Sequence, residues 1–231
     1  MPNAAMTARP RIFADRTAAG IALARELQRR RLPPPIIVLG LPRGGVPVAY
    51  EVARILEAPL DVMLVRKIGL PGQPELAMGA VASGGIVVHE AGVEKAFPDL
   101  ARAFDTLAAT QRVELERRER IYRHGSCALD LKGKTVILVD DGVATGATML
   151  AALRAARQAG AGTLIAAAPV ASSEAAGLLR AEADATVILE TPPALFAIGQ
   201  WYRDFEQLED REVCRLLDLS RGATPHACRA R

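Results

Sequence analysis

The sequence contains little cysteine and little histidine. Three cysteines and three histidines occur in 231 residues, and they are scattered without a CxxC pair or a group of metal ligands. This pattern indicates neither a metal site built from these residues nor a histidine catalyst. The few, odd-numbered cysteines favour a reducing, cytoplasmic setting.

Long apolar runs and a strong charge of one sign are also missing. No stretch approaches the length needed to span a bilayer, and the first residues lack the apolar run of a secretory signal. We therefore expect a soluble, cytoplasmic protein without a membrane partner. The formal net charge of +3 is too small to indicate nucleic acid as a partner, although it would suit a phosphate-bearing ligand.

Half of the residues are apolar, which is enough for one α/β domain to bury a substantial core. We predict a single domain over residues 1–219, with a small hood over about 190–219. Residues 220–231 include Arg221, Arg229 and Arg231, and they are predicted to form a disordered basic tail.

Apolar runs alternate with helical patterns along the chain. The runs at 36–39, 60–65, 135–139, 163–170 and 186–189 predict buried strands, and helices are predicted at about 15–30, 46–56, 93–122, 142–159 and 173–183. This order predicts an α/β fold with an open, mainly parallel twisted sheet and helices on both faces. In such a fold, ligands bind beyond the carboxyl ends of the strands.

Two other regions have a distinct composition. The glycines and prolines of residues 68–78 predict a mobile loop, and residues 80–88 predict a hairpin. In the helix predicted at 93–122, the pairs Glu114/Arg118, Glu116/Arg120 and Glu119/Arg123 have i,i+4 spacing. That spacing is typical of a solvated helical face.

The strongest signal is the segment VILVDDGVATGAT at residues 136–148. It places Asp140 and Asp141 where a buried strand ends, followed by a turn of small residues that leads into a helix. Unpaired N–H groups at the helix start, with hydroxyls from Thr145 and Thr148, favour a bound phosphate. Two adjacent carboxylates need hydroxyls or a cation to offset their repulsion, which a ribose diol can provide. Together these features indicate a ribose 5-phosphate.

This segment resembles the phosphoribosyl-pyrophosphate-binding signature of the type I phosphoribosyltransferases over thirteen contiguous positions. Three further stretches agree with it: LPRGGVPVA at 41–49, RKIGLPGQPELAMGAV at 66–81 and FAIGQWYRDF at 196–205. They look like a bacterial branch of that family known only by the general label phosphoribosyltransferase. The resemblance extends from the first helix to about Leu217.

The resemblance implies a set of site residues. The catalytic candidates are Asp140, Asp141, Arg43, Arg66 and Lys67, in which the two aspartates contact the ribose hydroxyls. The 5-phosphate would lie on Ala144, Thr145, Gly146, Ala147 and Thr148, and the pyrophosphate on Leu41, Pro42, Arg43, Gly44 and Gly45. Arg66 and Lys67 lead into what would be a flexible loop that closes over the donor. Phe196, Trp201 and Tyr202 are the hood candidates for contact with a base.

The implied activity is that of a pentosyltransferase. It would transfer the phosphoribosyl group of 5-phosphoribosyl pyrophosphate to a nitrogenous base or similar acceptor and release pyrophosphate. Mg²⁺ would be held mainly through the substrate, with Asp140 and Asp141 as candidate ligands. The acceptor and the oligomeric state stay open, although homodimers are common among similar proteins.

Each signal also has a plainer explanation. An acidic pair after a strand occurs in helix caps and in other magnesium sites, Arg43 fits an ordinary surface position, and Arg66 with Lys67 fits a solvated strand end. The aromatic cluster of Trp201, Tyr202 and Phe205 is also consistent with simple packing. A nucleoside triphosphatase is disfavoured, because Val46 and Pro47 stand where a P-loop has lysine and serine or threonine.

Two other functions remain alternatives. Glu75 is the only charged residue in the segment 68–78, which favours a non-catalytic sensor of 5-phosphoribosyl pyrophosphate or nucleotide. A phosphohydrolase acting on a phosphoribosyl compound is the third hypothesis.

Overall fold

The computed structural model describes residues 11–70, 73–89, 101–124 and 126–223. Its strands are β1 (Ile36–Gly40), β2 (Leu60–Val62), β3 (Val65–Leu70), β4 (Gln73–Ala82), β5 (Ile86–His89), β6 (Thr135–Val139), β7 (Thr163–Val170) and β8 (Ala185–Glu190). Its helices are α1 (Arg16–Gln28), α2 (Gly45–Ile55), α3 (Ala101–Arg123), α4 (Ala147–Gln158), α5 (Ser173–Glu182) and α6 (Asp210–Ala223). Short 3₁₀ turns cover Ser83–Gly85 and Ile198–Trp201.

The main sheet has five parallel strands in the order β2-β1-β6-β7-β8. The central strand β6 is buried at all five positions, as its β-branched run with no polar residue inside predicts. Gly40, the last residue of β1, pairs with Val139, the last residue of β6. The chain segments that leave these two strands therefore start side by side.

The sheet is covered on both faces. Along β6, Val136 and Leu138 pack with α4 and α5, whereas Ile137 and Val139 pack with α1, α2 and α6. Successive side chains of a strand point to opposite faces, so this alternation places helices on each side. The predicted fold class, an open parallel sheet with helices on both faces, is confirmed.

The predicted mobile loop at 68–78 is wrong for the residues that the structure describes. Strands β3 and β4 run through this segment as an antiparallel ribbon, and β5 adds a third strand. The β3–β4 register shifts on both sides of Gly69, an irregularity expected where glycine interrupts a ladder. The hairpin predicted at 80–88 is confirmed by the pairing of β4 with β5, and Pro71 and Gly72 lie outside the described residues.

The C-terminal region contains a helix that the sequence analysis did not predict. Helix α6 extends to Ala223, so residues 220–223 are helical, and the remainder of the predicted tail lies outside the described residues. The predicted start of the long helix near Val93 lies outside them as well. Within the described part of the chain, we find no helix that is both long and apolar enough to cross a membrane.

The i,i+4 pairs on α3 do not share one environment. Glu114 and Arg118 form the expected exposed ion pair at 3.1 Å. Arg123, in contrast, is only 7% exposed and donates to both Asp61, on β2, and Glu119. The interpretation of the Glu119/Arg123 pair as a solvated face is therefore wrong, because Arg123 joins the end of α3 to the buried edge of the main sheet.

Candidate functional site

The carboxyl end of β6 brings together two of the predicted site segments. Asp140 and Asp141 follow this strand directly, and the loop 41–45 follows the neighbouring strand β1. The backbone N–H of Leu41 donates to the carbonyl oxygen of Val139 at 2.9 Å. The acidic pair and the glycine-containing loop thus form one continuous surface at the carboxyl ends of β1 and β6.

Two glycines allow this loop to approach the acidic pair. A Cβ atom at Gly44 would lie 2.0 Å from Oδ2 of Asp141, and one at Gly45 would lie 2.5 Å from the carbonyl oxygen of Val139. Both distances are far below van der Waals contact. A side chain at either position would push the loop or the carboxylates apart, so glycine is required for close approach.

Both carboxylates have defined partners. The backbone N–H of Asp141 donates to Oδ1 of Asp140 at 2.9 Å. Arg16 Nε donates to Oδ2 of Asp141 at 2.8 Å, and these two side chains are only 12% and 13% exposed. The hydroxyl of Tyr202 donates to the backbone carbonyl of Asp141. Asp141 is therefore held at the strand end by groups from distant parts of the chain, whereas the partner of Asp140 is the backbone of its neighbour.

Burial and mutual repulsion make the charged form of the pair costly. Burial raises the pKa of Asp140 well above its usual range, and the adjacent Asp141 carboxylate raises it further. Burial also raises the pKa of Asp141, against the opposing effect of Arg16. Hydroxyl donors or a cation placed against the pair would stabilise its ionised form.

The turn after the acidic pair is anchored at its base and open at its tip. The N–H of Val143 donates to the carbonyl of Val170 at 2.9 Å, and Ser172 Oγ donates to the carbonyl of Ala144 at 2.7 Å. Gly146 has a φ of +82°, which glycine adopts without strain. Ala144, Thr145 and Thr148 are exposed.

Helix α4 starts immediately after this turn, at Ala147. The first N–H groups of a helix have no acceptor within the helix, and they carry the positive end of its dipole. The predicted phosphate-binding residues 144–148 therefore form an accessible turn at a helix N-terminus. Such a turn is suited to an anion.

The three predicted basic residues differ in their surroundings. Arg43 lies in the glycine loop, and its Nη1 is 3.9 Å from Oδ1 of Asp210 at the start of α6. Arg66 is directed toward α3, where its Nε donates to Gln111 Oε1 at 2.6 Å. Lys67 is exposed on β3. Of the three, Arg43 lies on the segment that borders the acidic pair.

The three hood candidates differ in how far their side chains are exposed. Phe196 is 86% exposed, and Trp201 is half-buried. Tyr202 is only 5% exposed, with its ring 5.7 Å from that of Phe13 and 5.0 Å from that of Phe205. This packing does not agree with the prediction that Tyr202 offers its ring to a base, because the ring is buried against other aromatic rings.

Arg16 is the site residue that the sequence analysis missed. It lies 125 positions before Asp141, so no local motif joins the two. One signal was present in the sequence: Asp15 caps α1 and places Arg16 in the first turn. A cation there is unfavourable with respect to the helix dipole unless another partner compensates it. That partner is Asp141.

Comparison with known proteins agrees with this geometry. The phosphoribosyl transferase domain matches residues 15–199, which include the loop 41–45, the acidic pair and the turn 144–148. The chain therefore belongs to the phosphoribosyltransferase family, as the resemblance of residues 136–148 predicted.

Three relatives illustrate the match. A Mycobacterium tuberculosis H37Rv protein, named provisionally as a phosphoribosyl transferase, is 44% identical over 208 residues, covering 90% of this chain and 47% of that protein. A ribose-phosphate pyrophosphokinase of Methanopyrus kandleri is 32% identical, covering 53% of this chain and 49% of that protein. The chain thus spans about half the length of these curated relatives. The crystal structure of TT1426 from Thermus thermophilus is 45% identical with a TM-score of 0.81, covering 89% of this chain and 97% of that one.

Proposed function

We propose that this protein is a Mg²⁺-dependent phosphoribosyltransferase that uses 5-phosphoribosyl pyrophosphate as its donor. The acceptor is a nitrogenous base or a similar nucleophile. One observation carries the proposal: a half-buried acidic pair, a glycine loop and an open turn at a helix N-terminus share the carboxyl end of the central strand. This arrangement matches the diol, the pyrophosphate and the 5-phosphate of one donor molecule.

Each part of the donor has a matching part of the site. The ribose hydroxyls donate to Asp140 and Asp141, whose costly ionised forms they stabilise. The 5-phosphate lies on the turn 144–148, and the pyrophosphate lies on the loop 41–45 with Arg43 as its charge partner. When the bond from the anomeric carbon to pyrophosphate breaks, the acceptor nitrogen adds to that carbon. The protein contributes mainly alignment and charge stabilisation.

Asp140 and Asp141 offer suitable oxygen ligands for a magnesium ion, but two carboxylates are only part of its ligand shell. A Mg²⁺ site in a protein commonly has one or two carboxylate ligands, and substrate phosphates supply further oxygens. Among the residues that the structure describes, no group of three or more His, Cys, Asp or Glu side chains could hold a metal by itself. We therefore infer that Mg²⁺ would bind together with the donor, with these two aspartates as its protein ligands. When bound, it would neutralise charge on the leaving pyrophosphate.

Pyrophosphate release tests the catalytic part of the proposal. The protein is mixed with donor and Mg²⁺, and a panel of nucleobases is added one at a time in a single-turnover experiment. We expect stoichiometric release of pyrophosphate with at least one acceptor. Tight donor binding without release in the presence of any acceptor would contradict catalysis.

A sensor is the second candidate function, and the position of Arg66 favours it. This predicted catalytic side chain is bound to Gln111 and lies 3.7 Å from Glu114, both on α3. The same experiment distinguishes the two functions, because a sensor binds the donor but never releases pyrophosphate. Acceptor-independent release of inorganic phosphate would instead indicate the phosphohydrolase.

Gly44→Ala should weaken donor binding about tenfold or more, because the new Cβ atom would displace the Asp141 carboxylate that lies 2.0 Å away. Titration calorimetry with donor and Mg²⁺ measures the change. Gly177→Ala is the matched control, since its added Cβ atom would have no atom within 4 Å apart from its chain neighbours and the adjacent backbone of its own helix. Equal donor affinity in the two variants would show that the loop and the acidic pair do not form one site.

A further inference from the structure

Arg16 occupies the junction between the acidic pair and the segment 198–206. Its Nε bonds to the Asp141 carboxylate at 2.8 Å, and its Nη1 donates to the carbonyl oxygen of Glu206 at 2.9 Å. Its Cζ lies 3.8 Å from the centre of the Phe205 ring. One guanidinium group therefore contacts a carboxylate, a backbone carbonyl and an aromatic face. A planar, forked cation can satisfy all three partners, whereas an ammonium cannot.

The segment 198–206 contacts the donor site at further points. Tyr202 donates its hydroxyl to the backbone carbonyl of Asp141, the same residue whose carboxylate Arg16 holds. The side chain of Ile198 lies against Gly142, where an added Cβ atom would be 2.4 Å from Ile198 Cγ2. The segment thus packs directly on the first residues of the turn after β6.

The start of α1 supports this segment from the other side. The N–H of Phe13 donates to the carbonyl of Trp201 at 2.8 Å, and the N–H of Arg203 donates to the carbonyl of Phe13 at 2.9 Å. These backbone bonds hold the segment beside α1, but they do not reach the acidic pair. Among the described contacts of α1 with this region, the Arg16 side chain is the group that binds both Asp141 and the segment.

We propose that Arg16 is a positioning residue that fastens the segment 198–206 to Asp141 and thereby orients this carboxylate for the donor. Its bond to Oδ2 fixes the plane of the Asp141 carboxylate, and its bonds to the segment fix Arg16 in turn. The part of the proposal that concerns the donor rests on the proposed function. The two parts of the chain that Arg16 joins are not neighbours in the sequence. Phe205 and Asp141 are 64 residues apart, and Glu206 lies beyond the family match at 15–199.

Trp201 provides a local probe, because it is the only tryptophan in the sequence and lies within the segment. Acrylamide quenching of its fluorescence is measured on the full chain without any ligand. Arg16→Met should raise the quenching constant and shift the emission to longer wavelength, because the segment loses its side-chain link to the Asp141 carboxylate and is left with the Tyr202 and Ile198 contacts. Arg25→Met is the control, since Arg25 is an exposed residue of the same helix.

Donor binding is then measured by calorimetry with Mg²⁺ on the same proteins. Arg16→Met should raise the donor Kd about tenfold, because the Asp141 carboxylate loses the group that fixes its orientation for the donor. Arg16→Lys keeps a cation near Asp141 without the stacked fork, so its donor Kd should move back toward wild type while Trp201 stays more quenchable. A purely structural role would not separate these two readouts.

The two measurements test different parts of the proposal. Unchanged Trp201 quenching in Arg16→Met would overturn the link between Arg16 and the segment. Raised quenching with a donor Kd within about twofold of wild type would overturn the link to the donor site. If Arg16→Met does not fold, Arg16→Lys decides, and unchanged quenching in it contradicts the proposal. A wild-type protein that binds no donor would end the proposed function, whereas the ligand-free quenching would still decide the role of Arg16 in holding the segment.

Discussion

Replacing Asp140 and Asp141 together with asparagine should abolish binding of 5-phosphoribosyl pyrophosphate and leave the fold intact. Each aspartate loses a charge-assisted hydrogen bond to a ribose hydroxyl, and each such bond contributes about 1.5–3 kcal/mol. The donor Kd should therefore rise about a hundredfold or more. Titration calorimetry with Mg²⁺ measures the affinity, and circular dichroism checks the fold.

The Asp140→Asn change should also make the free protein more stable at neutral pH. Burial and the Asp141 charge raise the pKa of Asp140 in the folded state. A carboxyl whose folded pKa is raised destabilises the fold once pH exceeds its unfolded pKa, and this penalty disappears below it. The unfolding midpoint of the variant should thus exceed that of wild type at about pH 7, and the difference should shrink toward about pH 4.

Asp105→Asn provides the control for the double variant, because Asp105 is an exposed carboxylate on α3. It should bind donor as wild type does. A double variant that binds the donor normally would contradict the roles assigned to the acidic pair. Loss of binding together with loss of the folded state would assign the pair a structural function instead.

Arg123→Met should destabilise the protein by about 3 kcal/mol, because it leaves the Asp61 charge buried without its cation. Asp61 is only 4% exposed, and Arg123 Nε lies 3.1 Å from its Oδ1. Backbone N–H groups of Val62 and Leu129 also donate to Asp61. These two bonds keep the expected cost at the lower end of the range for a broken buried pair. Urea unfolding measures it as a lower midpoint with an unchanged slope.

Arg120→Met is the matched control, since Arg120 is exposed and lies less than one helical turn from Arg123. Its effect should stay within about 0.5 kcal/mol of zero. Equal unfolding midpoints for the Arg123 and Arg120 variants would mean that the buried ion pair contributes nothing to stability.

The core of the fold could be predicted because its signals are local. The β-branched run of β6, with no polar residue inside, predicted a central strand, and the two aspartates after it marked the carboxyl end where the candidate site lies. The small residues 144–148 predicted an open turn, and they are found at the start of α4. In each case the residues that form the feature are adjacent in the chain.

The features that were missed or misinterpreted depend on distant partners. Arg16 binds Asp141 from 125 positions earlier in the chain, and Arg123 has the same spacing from Glu119 as an ordinary surface pair. The contact of Arg123 with Asp61 and the burial of both side chains distinguish that pair from the solvated one at Glu114 and Arg118. Tyr202 was a hood candidate for contact with a base, yet its ring packs against those of Phe13 and Phe205.

The segment 68–78 was misinterpreted for a different reason. Its glycines and prolines predict a loop, but strands β3 and β4 pair across it, and the register shift around Gly69 absorbs the irregular residues. Tertiary pairing of a ribbon can override local preference where the ladder tolerates a bulge.

A crystal structure of the protein with 5-phosphoribosyl pyrophosphate and Mg²⁺ would test the central claim most directly. The account predicts that the ribose hydroxyls contact the carboxylates of Asp140 and Asp141 and that the 5-phosphate lies on the backbone of residues 144–148. A donor bound with its 5-phosphate away from this turn, or with its ribose out of reach of both carboxylates, would contradict it.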